Sequence, residues 1–261
     1  MRRLVLGLLV LAITIPAFAQ PAPAPATLTW IRYYEAQPGK ERELGQILVA
    51  ASKPVFDQLI ADRKVVAWGV VVPMSHTSET WTHAVFVTAN DWAGYEALTS
   101  SSEAAMAKLS ASERSTLEGQ MMAAMKPHTL RDVVLRHLSQ SPLPTTPPAA
   151  RPKYIGIDTY VVKPGRYEDA LGLFNEWAKP TFSSASKLGP WGFSMQEMVT
   201  TPGWTHMIWY FMTDLAAIDE LNAATMALGA TKLKGYDVRL RDFSEPDKHQ
   251  GQILRIVYQA P

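Results

Sequence analysis

Residues 28–36 are rich in Trp, Ile and Tyr and change type at alternate positions, the pattern of a strand. Pro38-Gly39 ends it. Across 41–62, Leu44, Ile47, Leu48, Ala51 and Val55 recur near a 3.6-residue period, predicting an amphipathic helix that Pro54 should kink or restart. Residues 65–73 and 81–89 predict a hairpin around the polar turn 75–80. Asn90-Asp91 is a helix-cap signal. Helix is expected over 92–98 and 103–125, with the polar 99–102 as an interruption, and a strand over 132–138.

The pattern then starts again. A strand is expected over 154–162, a helix over 167–186, a hairpin from 191–199 and 204–212, a helix over 214–229 and a strand over 252–258. Particular residues return with it. Pro38-Gly39-Lys40 matches Pro164-Gly165-Arg166, and Lys53-Pro54 with Phe56 matches Lys179-Pro180 with Phe182, both at an offset of 126 (164−38 and 180−54). Trp68-Gly69 matches Trp191-Gly192, and Trp81-Thr82-His83 matches Trp204-Thr205-His206, both at 123 (191−68 and 204−81). Val134-Leu135-Arg136 matches Ile253-Leu254-Arg255 at 119 (253−134). Constant offsets broken by small gaps are what two copies of one domain produce. A period this long excludes solenoid repeats, whose units run to about 50 residues.

Each series reads strand, helix, strand, strand, helix, strand, the order of a ferredoxin-like unit. A four-stranded sheet with both helices on one side leaves its other face to be buried. The fold class expected is α+β: two ferredoxin-like βαββαβ repeats, 28–138 and 153–261, packed sheet to sheet as an intramolecular α/β barrel. Residues 139–152 carry Pro142, Pro144, Pro147, Pro148 and Pro152 and form a linker.

The start of the chain adds an address. Arg2-Arg3, an apolar stretch over 4–16 and the small-x-small site Ala17-Phe18-Ala19 predict a signal peptide over 1–19, followed by a Pro/Ala spacer over 20–27. The expectation is a periplasmic or secreted protein with no membrane anchor after cleavage. There is no cysteine, which excludes disulfides, a thiolate nucleophile, Cys-ligated zinc and covalent c-type haem. Lys plus Arg is 25 against 24 Asp plus Glu, a balance with no basic face for nucleic acid. The histidines show no metal-ligand spacing, so no metal site is expected.

The βαββαβ order, the Pro-Gly-Lys/Arg turn before the first helix and the tandem copies resemble the dimeric α/β-barrel superfamily, which includes antibiotic-biosynthesis-monooxygenase-like, EthD-like and NIPSNAP-like domains. The resemblance spans nearly all of 28–258 and rests on architectural motifs. It implies two sheets closed into a barrel whose lumen commonly holds a ligand. Members include cofactor-independent monooxygenases and haem-handling enzymes.

Strands alternate faces. Ile31, Tyr33, Ile157 and Thr159 are expected to face the helices, and Trp30, Arg32, Tyr34, Asp158 and Tyr160 the lumen. With first and last strands as neighbours, Arg32 is expected near Arg136 and Asp158 near Arg255. Arg32, Tyr34, Arg136, Asp158, Tyr160 and Arg255 are therefore the candidate ligand-binding residues; an ion pair joining the sheets is the alternative. His83 and His206 are the candidate proton carriers. Their retention in both copies favours a structural role. The function expected is binding of a small, partly apolar molecule in or beside the lumen, by a monomer or homodimer, with no cofactor. The alternatives are a cofactor-independent monooxygenase-like enzyme, or a haem protein with His83 or His206 as axial ligand.

Overall fold

A computed structural model describes residues 28–74, 80–141, 151–199 and 203–260. The expected signal peptide and spacer, and most of the expected linker, lie outside the described residues. The elements are β1 (Leu28–Tyr34), α1 (Glu41–Ala61), β2 (Val65–Pro73), β3 (His83–Ala89), α2 (Trp92–Lys108), α3 (Ala111–Ala124), β4 (Arg131–Gln140), β5 (Tyr154–Tyr160), α4 (Tyr167–Leu173), α5 (Lys179–Ser184), β6 (Leu188–Val199), β7 (His206–Met212), α6 (Ala216–Ala227), α7 (Ala230–Phe243) and β8 (Gln250–Ala260). The molecule is α+β. Its eight strands close into one barrel in the order β1-β3-β2-β8-β5-β7-β6-β4, with every pairing antiparallel. The first four strands lie side by side, as do the last four. They meet at two seams, β2 with β8 and β4 with β6.

Closure gives the barrel two buried faces. Its inner face carries Tyr33, Phe86, Leu135, Ile155, Ile157, Met207 and Leu254. Its outer face packs on the helices through two further clusters, one around Trp68, Leu44 and Phe56, the other around Trp191, Phe174 and Phe182.

The repeated motifs are fold devices. Gly39 and Gly165 have φ of +79° and +77°, the left-handed turn that only glycine adopts without strain. In Trp68-Gly69 and Trp191-Gly192 the tryptophan packs outward and the glycine makes room inward. A Cβ on Gly69 would stand 2.7 Å from Phe86, and one on Gly192 2.6 Å from Trp209. In Trp-Thr-His the tryptophans enter the inner cluster. Thr82 Oγ1 accepts from the Ala36 N–H and Thr205 Oγ1 from the Val162 N–H, both at 2.8 Å. Each threonine pins the chain leaving β1 or β5 to the neighbouring strand.

Three expectations about elements are corrected. Residues 99–102 do not interrupt α2, because the Ser100 and Ser102 hydroxyls bond back to the Glu96 and Leu98 carbonyls within the helix. The break falls at Ser110, where a capping box with Glu113 starts α3. β4 runs on to Gln140, into the expected linker, because Ser139 and Gln140 pair with Phe193 and Gly192. Pro54 leaves α1 unbroken, whereas its counterpart Pro180 follows a π turn, Phe174–Ala178. The helix α7 was not expected from the sequence pattern.

Candidate functional site

The inner face encloses a cavity of about 280 Å³. It sits where β1, β2, β5 and β6 begin and β3, β4, β7 and β8 end, between residues such as Thr29, Val66, Ile155, Pro190, Thr88 and Phe211. The other end of the barrel is packed with Trp81, Val133, Met207 and Trp204, and the Tyr33 and Trp81 rings meet edge to face at 5.1 Å. The lumen is therefore a blind pocket. Tyr33, Phe86, Trp209 and Phe211 give it flat aromatic walls.

One arc of this wall is polar and continuous. Trp209 Nε1 donates to Ser194 Oγ at 2.9 Å, Ser194 Oγ lies 2.7 Å from His137 Nδ1, His137 Nε2 lies 2.8 Å from Thr29 Oγ1, and Thr29 Oγ1 lies 2.9 Å from Thr88 Oγ1. These residues stand on β7, β6, β4, β1 and β3, five consecutive strands of the barrel. The direction of the chain follows from counting protons. Indole N–H can only donate, so Ser194 accepts from it. Ser194 is fully buried, and among the described bonds its own proton has His137 Nδ1 as acceptor. That leaves His137 protonated on Nε2, donating to Thr29, which donates to Thr88. Burial pushes the His137 imidazole down to about 4, so the ring is neutral at physiological pH. The Thr88 hydroxyl, which lines the cavity, has no further acceptor among the described hydrogen bonds. Two strands along the wall, on β8, Gln259 lines the same cavity and its buried Oε1 has no partner among the described residues. The site thus offers a donor on one wall and an acceptor on another, in largely apolar surroundings that also include Gln140 and Arg151.

The sequence-derived candidates lie elsewhere. Arg32, Tyr34, Asp158 and Tyr160 belong to the outer face, and Ile31, Tyr33 and Ile157 line the cavity, the reverse of the expected orientation. The physical reason is desolvation: a largely apolar lumen offers no carboxylate to a guanidinium, so Arg32 goes to the outer face and pairs there. Arg32 makes a two-pronged ion pair with Asp132 at 2.7 and 2.8 Å. Its strand partner is Asp132, and Arg136 pairs instead with Leu28, four residues further along β4. Asp158 is opposite Gly251, and Arg255 is opposite Tyr154. Arg136 holds Glu197 through two bonds of 2.8 Å. Tyr34 packs among the α1 contacts, where burial pushes its phenol up to about 12. Tyr160 stacks on His249 at 4.5 Å, and His249 Nε2 lies 3.6 Å from Asp158. Arg255 and His83 do share a place, a groove outside the barrel beside α1.

His83 and His206 face the helices. Each has Nδ1 on its preceding threonine, at 3.0 and 2.9 Å. His83 is also hydrogen-bonded to the Glu41 backbone, across Gly45, whose absent side chain admits the ring. His206 stacks on Phe193 at 5.4 Å, and its buried Nε2 has no partner among the described residues. Burial pushes both imidazoles down to about 4. His83 and His137 do not fit an axial haem ligand, since both nitrogens of each are engaged; His206 keeps Nε2 without a partner among the described residues but lies buried between the sheet and the helices. Among the described residues no group of three or more His, Asp or Glu could hold a metal ion, and no helix is long and apolar enough to cross a membrane.

His137 is not among the residues that the repeats single out, yet the strand pattern carries a signal for it. Val133, Leu135 and His137 stand at alternate positions of one strand, which places the imidazole on the same inner face as two core residues.

No protein-family model matches the chain, and no curated protein matches it in sequence. Solved structures do match in fold. A "putative monooxygenase" from Fusobacterium nucleatum is 9% identical, with 90% of this chain and 94% of that chain covered and a TM-score of 0.60. Another of the same description from Lactobacillus acidophilus is 9% identical over 90% and 96%, also at 0.60. An anthrone oxidase-like protein is 11% identical over 90% and 93%, at 0.55. At these identities the likeness establishes the fold, a ferredoxin-like α/β barrel.

Proposed function

We propose that the protein binds a small, flat, largely apolar molecule in the barrel lumen, held by one hydroxyl or carbonyl group. The observation that carries this reading is the hydrogen-bonded arc ending at Thr88, facing an apolar cavity that also contains the unpartnered Gln259 Oε1. A ligand hydroxyl satisfies both, accepting from Thr88 and donating to Gln259. At about 280 Å³ the cavity stands at the small end of ligand pockets. Titration with 1-naphthol, followed by calorimetry, tests the reading. Thr88→Val should weaken binding about tenfold, the worth of one good hydrogen bond in a dry site. Ala84→Phe, which fills the cavity, should abolish it. Undiminished binding to Ala84→Phe removes the lumen as the site.

A second reading is turnover: cofactor-independent oxidation of an electron-rich aromatic, with the Thr88 hydroxyl at the end of the His137 arc donating to the substrate oxygen. It is favoured by an imidazole in the lumen wall and by the names of the fold neighbours. Oxygen uptake with anthrone and 1-naphthol distinguishes it from binding alone. Uptake no greater than that of a protein-free control leaves the protein a binder.

We further propose export and internal duplication. Export is supported by the basic start, apolar stretch and small-x-small site of residues 1–19. Protein recovered from the periplasm of an expressing bacterium should begin at Gln20; an intact Met1 there would contradict it. Duplication is supported by the register, since Arg136 opposite Met195 recurs as Arg255 opposite Val72 at the other seam.

A further inference from the structure

The two seams of the barrel share a register around one arginine but differ in what faces it. At the β4–β6 seam, Arg136 holds Glu197 with two parallel hydrogen bonds on the outer face. At the β2–β8 seam its counterpart is Arg255, in the equivalent register. The counterpart of Glu197, at the offset of 123 shared by both flanking tryptophan motifs, is Met74 (197−123). The arginine is retained and its carboxylate is replaced by a thioether. Arg255 is exposed, and it has no hydrogen bond or ion pair among the described residues. It lines an open groove of about 1110 Å³ between α1 and the β2–β8 seam. Val49, Val72, Met74, Val257 and Tyr258 give that groove its apolar lining. Met74 and Val257 are 47% and 42% exposed. Of the groove's other charged residues, Glu35 is paired with Lys126, Glu41 accepts the Gly39 N–H at 3.3 Å, and Arg42 adds a second cation.

We infer that this groove binds a small monocarboxylate with an apolar tail, its carboxylate on Arg255 in the place that Glu197 takes on Arg136 and its tail along Val257, Val72 and Met74. Arginine's planar fork matches a carboxylate two bonds at a time, as Arg136 holds Glu197, which a neutral head does not reproduce. The apolar lining supplies the burial that a bare anion would not use. The site is separate from the lumen, on the opposite face of the sheet.

The test is calorimetric titration of the purified protein with decanoate, with decanol as the neutral control. Decanoate should bind at least tenfold more tightly than decanol, and Arg255→Gln should remove that advantage. Met74→Glu, which gives Arg255 the partner that Arg136 has, should also abolish decanoate binding while leaving the fold intact. Ala84→Phe should change nothing, because it closes only the lumen. Equal binding of decanoate and decanol overturns the inference. So does unchanged decanoate binding in Met74→Glu, or loss of decanoate binding in Ala84→Phe, which would put the ligand in the lumen.

Discussion

His137 Nδ1 lies 2.7 Å from Ser194 Oγ, an inward-facing side-chain hydrogen bond that adds to the β4–β6 ladder at a seam between the two halves of the barrel. Ser194 also receives the Trp209 indole at 2.9 Å. Ser194→Ala strands two buried nitrogens at once. It should cost about 2–6 kcal/mol, from two unsatisfied groups of about 1–3 kcal/mol each. Urea denaturation measures it. A loss below about 0.5 kcal/mol would mean that the arc is not formed in solution.

Three buried imidazoles make stability depend on pH. Burial holds His83, His137 and His206 near 4, against an unfolded value of about 6.5. Below 6.5 the unfolded chain takes up protons that the folded one refuses. The stability these rings contribute is therefore fully present above pH 6.5 and falls as pH drops toward 4. Each pKa unit is about 1.4 kcal/mol, so each ring weighs up to roughly 3 kcal/mol by pH 4. Urea midpoints at pH 7.0, 5.5 and 4.5 should decline steadily, and His137→Gln should flatten the decline. Equal midpoints at all three would overturn the neutral assignment.

Thr82 and Thr205 make the same pair of contacts in the two halves, each accepting a backbone N–H at 2.8 Å. Thr82→Val and Thr205→Val should each cost about 1–2 kcal/mol, by similar amounts, because each leaves a backbone donor unpaired. The double variant should be near the sum, since the threonines share no partner. A large effect in one half alone would assign that threonine a role beyond the turn.

Glycine substitutions separate the lumen from the surface. A Cβ at Gly192 would meet Trp209 at 2.6 Å and the Ser139 carbonyl at 2.9 Å. Gly192→Ala should cost about 3 kcal/mol, displacing Trp209 from Ser194. Gly119, inside α3, has nothing within 4 Å of its Cβ position, so Gly119→Ala should stabilise by about 0.5–1 kcal/mol. Thermal melts of the two variants should move in opposite directions.

Element types and their order were legible along most of the chain, because each has a period of its own. The helix α7 was missed, and so was the true break between α2 and α3. In both cases polar residues satisfied by local bonds look, in sequence, like a loop. The repeated motifs were legible as repeats but not as devices: the inward tryptophan of Trp-Thr-His and the outward one of Trp-Gly look alike until the strands are placed.

Sequence alone determined the strand–helix order, the doubling of the pattern and the sets of residues that share a face. Leu28–Tyr34 divides into Thr29, Ile31 and Tyr33 on one side and Trp30, Arg32 and Tyr34 on the other by period alone. Only the tertiary structure decided which set faces inward. In a closed barrel covered by helices both faces are buried, so hydrophobicity cannot separate them. The deciding term is the cost of desolvating a charge: Arg32 finds Asp132 on the outer face and would find no partner in the lumen. That same closure brought His137, Thr29, Thr88 and Ser194 into one arc from four strands far apart in sequence.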